Sequence, residues 1–235
     1  MADIPRKERL IVALDVPSTE EARAFVAKAG EAVCFYKIGL ELFMSGGYFE
    51  LLEWLSARNK KVFVDLKFFD VPETVGAAVR ALRARGASFA TVHGNQAIME
   101  AAGREKGDLK ILAVTVLTSL DRGDLDDLGF HCDVDELVLS RARRALAAGC
   151  DGVVSSGLEA PRIRQELGGR ILVVTPGIRP VENRPMDDQK RTVDVAQAFR
   201  NGADYIVVGR PVRNAPDPRA AAEKIQATIA EIFPR

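Results

Sequence analysis

Residues 61–94 read KVFVDLKFFDVPETVGAAVRALRARGASFATVHG, and they hold one complete strand–helix–strand pattern. Residues 61–67 form a near-continuous apolar run, which is typical of a parallel strand covered on both faces. Apolar residues then recur at helical spacing, at Val75, Ala78, Val79 and Leu82. Gly86 stands where a helix C-cap is expected, and a second apolar run follows at 89–94. The stretch therefore predicts two parallel strands joined by a helix.

The same alternation extends along the whole chain of 235 residues. Short apolar runs lie at 10–16, 35–40, 61–67, 89–94, 110–117, 152–156, 171–178 and 205–211. Ser18 and Glu21 have the spacing of a capping box, and Asp217 with Pro218 marks the start of the last helix. Eight strands that alternate with helices favour an α/β fold, the (β/α)8 TIM barrel, with a doubly wound open sheet as the alternative. No linker-like stretch divides the sequence, so we expect residues 1–235 to form a single barrel domain.

The overall charge is balanced, with 33 Lys and Arg residues against 33 Asp and Glu residues. This balance argues against a general nucleic-acid binder and a polybasic membrane-surface protein, although it allows a local anion site. The three cysteines, Cys34, Cys132 and Cys150, form no short pairing that would indicate a disulfide scaffold or a structural zinc site. No apolar stretch is long enough for a membrane span or a signal peptide. We therefore expect a soluble cytoplasmic protein that binds neither nucleic acid nor a membrane.

The densest group of charged residues lies at the end of the third predicted strand, where barrels of this kind carry their chemistry. Strand alternation places Asp65 and Lys67 on the same face, about 6.5–7 Å apart. Lys37 and Asp15, on the two preceding strands, extend this pair to a row of alternating charge. Such a row keeps a lysine protonated and makes it a candidate general acid. The pattern also fits a buried ion-pair network without chemistry, and Asp70 fits a helix N-cap as well as a functional site.

A second group of residues indicates an anion site. Glycines and arginines follow the seventh and eighth predicted strands, at Gly177, Arg179, Gly209 and Arg210. Glycine allows close approach of the backbone to an oxyanion, and arginine supplies charge-assisted hydrogen bonds. The polar connection 179–191 is long enough to serve as a lid over a bound phosphate, or it is simply a surface loop. No Walker A, G-x-G-x-x-G or H-E-x-x-H sequence occurs, which argues against nucleoside triphosphates, dinucleotides and zinc.

Residues 65–75, DLKFFDVPETV, resemble the signature of the orotidine 5'-monophosphate decarboxylase family, in its bacterial form. Further matching segments are ALD at 13–15, YKIG at 36–39, PGIRP at 176–180, DQKR at 188–191 and VGRP at 208–211. The resemblance covers essentially the whole chain, and only the stretch 179–189 is slightly longer than the family pattern. It implies a TIM-barrel enzyme that converts orotidine 5'-monophosphate into uridine 5'-monophosphate and CO2 in de novo pyrimidine synthesis. It also implies that the enzyme needs neither a cofactor nor a metal.

The resemblance further implies roles for individual residues. Lys67 would protonate C6 of the pyrimidine, and Asp65 would lie near the departing carboxylate and hold Lys67. Lys37 and Asp15 would bind the ribose and continue the charge row. Asp70, the fourth catalytic residue, and Thr74 would reach across a homodimer interface into the partner's site. The remaining contacts implied are Thr118, Ser119 and Pro176 around the pyrimidine, Gln189, Gly209 and Arg210 at the phosphate, and Arg179 at the lid.

Two other functions remain open at this point. Related barrels that act on sugar phosphates such as 3-keto-gulonate 6-phosphate share the Asp-x-Lys-x-x-Asp spacing but use magnesium and an enediolate. Phe68 and Phe69, followed by Val71 and Pro72, favour the pyrimidine enzyme over these. A catalytically silent phosphate-binding barrel is the other alternative, and the intact pair of Asp65 and Lys67 argues against it.

Overall fold

Eight parallel strands close into a barrel in which each strand pairs with its sequence neighbours and the last pairs with the first. The strands are β1 (Leu10–Ala13), β2 (Phe35–Gly39), β3 (Lys61–Phe68), β4 (Phe89–His93), β5 (Lys110–Val114), β6 (Gly152–Val154), β7 (Leu172–Thr175) and β8 (Tyr205–Val208). The computed structural model describes residues 4–179 and 191–234. Each of the eight predicted runs overlaps one strand. The prediction of a (β/α)8 barrel is therefore confirmed, and the open sheet is excluded.

Helices surround the barrel and also occupy some of the loops at its C-terminal end. They are α1 (Thr19–Ala29), α2 (Leu40–Met44), α3 (Tyr48–Ser56), α4 (Pro72–Arg83), α5 (Gln96–Glu105), α6 (Arg122–Asp127), α7 (Val134–Ala147), α8 (Ala160–Leu167), α9 (Val195–Arg200), α10 (Arg210–Arg213) and α11 (Pro218–Ile232). Ser18 caps α1 as predicted, since its hydroxyl accepts a hydrogen bond from the Glu21 N–H at 3.1 Å. Asp217 caps α11 in the same way, through the Ala220 N–H at 3.0 Å. Within residues 4–179 and 191–234, no helix is both long enough and apolar enough to cross a membrane.

Strand alternation divides the core into two layers. Along each strand, alternate side chains pack outward against the helices, and those between them fill the barrel interior. The interior set is Ile11, Ala13, Phe35, Phe63, Phe89, Leu112, Val174, Tyr205 and Val207, with Ile4 packed against it. The ring of Phe89 meets the rings of Phe35 and Tyr205 edge to face, with centroids 5.0 and 5.1 Å apart. These rings form an aromatic layer near the start of the strands, which leaves the C-terminal end for polar residues.

The inward alternation carries three of the predicted charges directly above this layer. Lys37 follows Phe35 by two residues on β2, and Asp65 follows Phe63 by two residues on β3. Asp15 follows Ala13 in the same way, just beyond the end of β1. The same periodicity that buries the interior side chains therefore aims these three charged side chains into the barrel mouth.

The end of β3 departs from regular alternation. Val64 pairs with Ala90, but the next pair is Phe68 with Val92, so β3 advances four residues while β4 advances two. Lys67 lies in this bulge with φ +48°, in the left-handed region that non-glycine residues rarely adopt. The assumption of a regular strand through Lys67 is therefore wrong, although Asp65 and Lys67 do reach the same cavity.

Candidate active site

A cavity of about 670 Å³ opens at the C-terminal end of the barrel. It is lined by ten of the residues predicted from the sequence, namely Asp15, Lys37, Asp65, Lys67, Thr118, Ser119, Pro176, Arg179, Gly209 and Arg210. Its floor is apolar and includes Phe63, Val114, Val154 and Val207. The cavity therefore has an apolar floor and a charged wall. The low dielectric of the apolar floor strengthens electrostatic interactions between the wall and a bound molecule.

The charged wall is the predicted row, and each neighbouring pair in it is in contact. The Lys37 ammonium lies 2.9 Å from Asp15 Oδ1 and 3.4 Å from Asp65 Oδ2. The Lys67 ammonium lies 3.0 Å from Asp65 Oδ1. Asp65 thus forms ion pairs with two lysines, one on its own strand and one on β2. Gly39 leaves room for this arrangement, because a Cβ there would lie 3.2 Å from Lys37 Nζ.

The contacts within the row shift the pKa values of Asp65 and Lys37 so that both stay charged. Burial by itself raises the pKa of Asp65, but the neighbouring Lys37 and Lys67 and the hydrogen bonds it accepts lower the pKa below its usual value. Burial likewise lowers the pKa of Lys37, and the carboxylates of Asp65 and Asp15 outweigh it and raise the pKa above the usual value. At neutral pH the site therefore holds a partly buried carboxylate and a partly buried ammonium, both charged.

Thr91, a fully buried residue of β4, is a member of the site that the sequence analysis missed. Its hydroxyl donates to Asp65 Oδ1 at 3.0 Å and accepts from the Lys67 N–H at 2.9 Å. The second bond satisfies a backbone group that the bulge removes from the β3–β4 ladder. Thr91 therefore links the left-handed backbone of Lys67 to the carboxylate that holds its side chain.

Further basic side chains line the cavity after β7 and β8. Gly177 has φ +73°, which suits glycine, and the buried residue Arg179 follows it. Gly209 directly follows β8, and Arg210 begins α10 immediately afterwards. Arg213, also on α10, lines the cavity and donates to the backbone carbonyl of Asp15, although the sequence analysis did not select it. The arrangement suits an anionic group held between two loops.

The connection after β7 is only partly described. Ile178 and Val193 form an isolated parallel bridge, and the Arg179 N–H donates to the Val193 carbonyl at 2.9 Å. The two ends of the predicted 179–191 lid are therefore held side by side. Gln189, predicted to contact the phosphate, and the rest of that lid lie outside the described residues.

Asp70 and Thr74 do not line the main cavity. They lie instead in a separate hollow of about 320 Å³ beyond the bulge, together with Lys67 and Phe69. The Asp70 carboxylate is exposed and accepts a hydrogen bond from the Val71 N–H at 2.7 Å, one residue before α4 begins. Val71 is the N-cap of α4, and α4 has no side-chain cap hydrogen bond, so the alternative of Asp70 as a helix N-cap is wrong.

The structure gives no sign of a metal centre in the described part of the chain. Among residues 4–179 and 191–234, no three His, Cys, Asp or Glu side chains are grouped so that they could hold a metal ion. His93, at the end of β4, instead bonds Asn95 at 2.8 Å and stacks on Phe69 with ring centroids 4.5 Å apart. His93 therefore contacts a ring that lines the second hollow, without lining that hollow itself.

Comparison with known proteins identifies the family. Residues 8–225 match the family model described as orotidine 5'-phosphate decarboxylase / HUMPS family. An orotidine 5'-phosphate decarboxylase of Methylococcus capsulatus is 71% identical over 230 residues, which cover 98% of this chain and 95% of the relative. One from Xanthomonas campestris pv. campestris is 55% identical over 225 residues, which cover 94% of this chain and 92% of the relative.

The fold comparison agrees with the sequence comparison. The crystal structure of orotidine 5'-phosphate decarboxylase from Lactobacillus acidophilus superposes with a TM-score of 0.84 at 34% sequence identity. The match covers 94% of this chain and 99% of that structure. The resemblance inferred from residues 65–75 is confirmed over nearly the full length. The chain belongs to the orotidine 5'-phosphate decarboxylase / HUMPS family.

Proposed function

We propose that the chain decarboxylates orotidine 5'-monophosphate to uridine 5'-monophosphate and CO2 in pyrimidine synthesis, without a cofactor, and that Lys67 is the proton donor. The observation that carries this proposal is the Lys67 ammonium, held 3.0 Å from the partly buried carboxylate of Asp65 in the cavity wall. High identity to relatives named as this decarboxylase supports the same substrate.

The reaction needs a cation beside the carbon that loses CO2. The bond between C6 and the carboxylate breaks, its electron pair stays on C6, and a proton moves from Lys67 Nζ to C6 while CO2 departs. Solvent then reprotonates the lysine. No ring atom can delocalise this electron pair effectively, so a preorganised ammonium next to C6 is the natural stabiliser. Asp65 keeps Lys67 oriented, and Thr91 fixes both residues.

One ammonium is not sufficient by itself. A charge pair at ~4 Å contributes about 4 kcal/mol at an effective dielectric of ~20, whereas enzymes commonly lower barriers by about 8–23 kcal/mol. The rest is assigned to positioning and to binding energy from the phosphate and ribose. In this proposal Arg210, Gly209 and Gln189 bind the phosphate with Arg179 at the lid, and Asp15 with Lys37 binds the ribose. The pyrimidine edge lies against Thr118, Ser119 and Pro176.

The proposal includes a homodimer with shared sites. Asp70 and Thr74 face a hollow outside the cavity of their own chain, so they are available to a second copy. Large apolar side chains are exposed on the loops after the neighbouring strands β2 and β3, at Leu40, Phe43, Met44, Phe69 and Val71. Exposed apolar groups of this size favour burial against another subunit. A second copy docked there would bring its Asp70 and Thr74 towards the cavity.

The test is an absorbance assay for loss of orotidine 5'-monophosphate, run with and without EDTA. We expect equal turnover in both conditions. Loss of activity in EDTA would contradict the metal-free reaction and favour the magnesium chemistry of sugar-phosphate barrels. Binding of uridine 5'-monophosphate without any turnover of orotidine 5'-monophosphate would instead indicate a catalytically silent phosphate-binding barrel.

A further inference from the structure

The turn that carries Thr118 and Ser119 is held from outside by an arginine of another loop. The Leu117 carbonyl accepts the Leu120 N–H at 2.9 Å, which closes a turn with Thr118 and Ser119 at its centre. Both central residues line the cavity. The position of the Leu117 carbonyl therefore sets how these two residues face a ligand.

Arg191 reaches this turn from the connection after β7. Its Nη2 donates to the Leu117 carbonyl at 2.9 Å and to the Val116 carbonyl at 3.2 Å. Arg191 is itself held close to the barrel, because Val193, two residues later, bridges to Ile178. The guanidinium thus spans from the β7 connection to the end of β5.

Glu159 orients this guanidinium. Its Oε1 lies 2.6 Å from Arg191 Nη1, and the two side chains are only 3% and 11% exposed. Glu159 precedes α8, so the pair also joins the β6 connection to the other two loops. A nearly buried ion pair whose arginine also donates to two carbonyls has a geometry that lysine cannot reproduce with a single ammonium.

Resting on the proposed function, we infer that Arg191 is a positioning residue: held by Glu159, it fixes the Leu117 turn and so presents Thr118 and Ser119 to the pyrimidine of the nucleotide. Arg191 does not line the cavity, whereas Thr118 and Ser119 do. Its effect therefore concerns recognition of the base, while the phosphate and ribose are bound elsewhere in the cavity.

The experiment compares two ligands by calorimetry on Arg191→Lys. Uridine 5'-monophosphate contains the base, and ribose 5-phosphate has the same sugar and phosphate without it. We expect Arg191→Lys to weaken binding of uridine 5'-monophosphate about tenfold, the effect of one lost hydrogen bond to a charged group, and to change ribose 5-phosphate binding less than ~2-fold. Arg219→Lys, which alters an exposed helical ion pair on α11, is the matched control and should change neither.

A second measurement separates positioning from general destabilisation. In a Thr118→Val/Ser119→Ala background, Arg191→Lys should have little further effect on uridine 5'-monophosphate binding, because residues that act as one unit are non-additive. Equal weakening of both ligands, or an undiminished effect in that background, would overturn the inference. If Arg191→Lys does not fold, Glu159→Gln replaces it, and the same two ligands are compared with the same expected results. These readouts need no turnover, so a chain that fails to decarboxylate orotidine 5'-monophosphate would refute the proposed function separately.

Discussion

Lys67 combines a left-handed backbone with a side chain held by an ion pair in the cavity wall. The backbone conformation costs on the order of 1–2 kcal/mol for a non-glycine residue. The hydrogen bond from its N–H to Thr91 and the ion pair with Asp65 offset that cost. The strain thus lies at the residue proposed to transfer the proton, where orientation matters most.

Replacing Lys67 by alanine should remove turnover and leave nucleotide binding largely intact. Alanine at position 67 has the same energetic cost for the left-handed backbone as lysine, so the substitution tests the loss of the ammonium group alone. Loss of a general acid costs about 10²–10⁴-fold in rate, which the absorbance assay resolves. Lys61→Ala, at the opposite end of the same strand, is the matched control and should retain activity. Turnover above a tenth of the unmodified rate in Lys67→Ala would remove Lys67 from the role of acid.

The charge row also predicts how stability depends on pH. The pKa of Asp65 in the fold lies below its usual 3.8, so its contribution is present above pH ~4 and is lost as the pH falls through the lowered value. The pKa of Lys37 lies above its usual 10.5, so its contribution is present below pH ~10.5 and is lost only above that. Both contributions are therefore at full strength near neutral pH.

Asp65→Asn should consequently be less stable than the unmodified chain at pH 7, by up to about 3 kcal/mol, because two ammonium groups lose their shared partner. Urea unfolding at pH 7 and pH 3 measures the difference, which should shrink at pH 3. Asp108→Asn, at an exposed turn, controls for the removal of one carboxylate. A difference that stays constant between the two pH values would show that Asp65 contributes through packing rather than through charge.

At the residue scale the sequence located half of the cavity lining, including most of its polar side chains, but not the residues that support them. Asp65 and Lys67 were predicted to share a face, and they share a cavity, but a bulge brings them there instead of regular alternation. The sequence analysis missed Thr91 because a single threonine within an apolar strand has the pattern of a core residue. Its role depends on a register shift between two strands, which no local pattern reports. Arg213 was missed because its contact, the carbonyl of Asp15, is distant along the chain.

At the scale of elements, apolar character identified all eight strands but overestimated where most of them end. The run 110–117 continues beyond β5, and Val116 is buried there without belonging to the strand. Apolar runs report burial, and the cavity rim buries residues that have already left the sheet. The short helices α2, α6 and α10 lie in such rim segments and are too brief to show helical periodicity.

Packing between α5 and α7 gives a test at this scale. A Cβ on Gly103 of α5 would lie 2.4 Å from the Ala148 carbonyl oxygen at the end of α7. Alanine improves helix propensity by about 1 kcal/mol, but overpacking costs about 1–3 kcal/mol, so Gly103→Ala should destabilise the chain. Gly123→Ala on α6 is the matched control: its Cβ meets only Asp121 Oδ1 at 3.4 Å, so it should be neutral or stabilising. Thermal unfolding that ranks the two variants in the reverse order would contradict the close approach of α5 and α7.

At the scale of the whole molecule, the proposed dimer depends on residues that one chain leaves unused. Met44 and Phe69 are 76% and 65% exposed, which is high for such large apolar side chains. Local sequence patterns do not predict whether a residue completes the site of its own chain or that of a second chain. The expectation of a shared site came from the family resemblance. The position of Asp70 outside the cavity of its own chain is consistent with that expectation without testing it.

Mixed dimers provide the test. Dimers of Lys67→Ala with Asp70→Ala contain one site in which both residues are intact, if Asp70 acts across the interface. Random mixing should then restore about a quarter of the unmodified activity, since half of the dimers are mixed and half of their sites are complete. Lys67→Ala mixed with Lys37→Ala is the control, because both residues line the same chain's cavity and no intact site forms. Confirmed mixed dimers of the first pair without recovered activity would place Asp70 in its own chain's site.

The aromatic layer near the start of the strands has a kinetic consequence. Phe35, Phe63 and Phe89 are almost fully buried, so they close the barrel beneath the cavity in the described part of the chain. Substrate and both products must then use the same mouth. Traffic through a single opening is sequential, and a nucleotide product still seated there excludes the next substrate molecule. Uridine 5'-monophosphate should therefore inhibit competitively with the substrate, because it must leave the cavity before the next substrate molecule can enter.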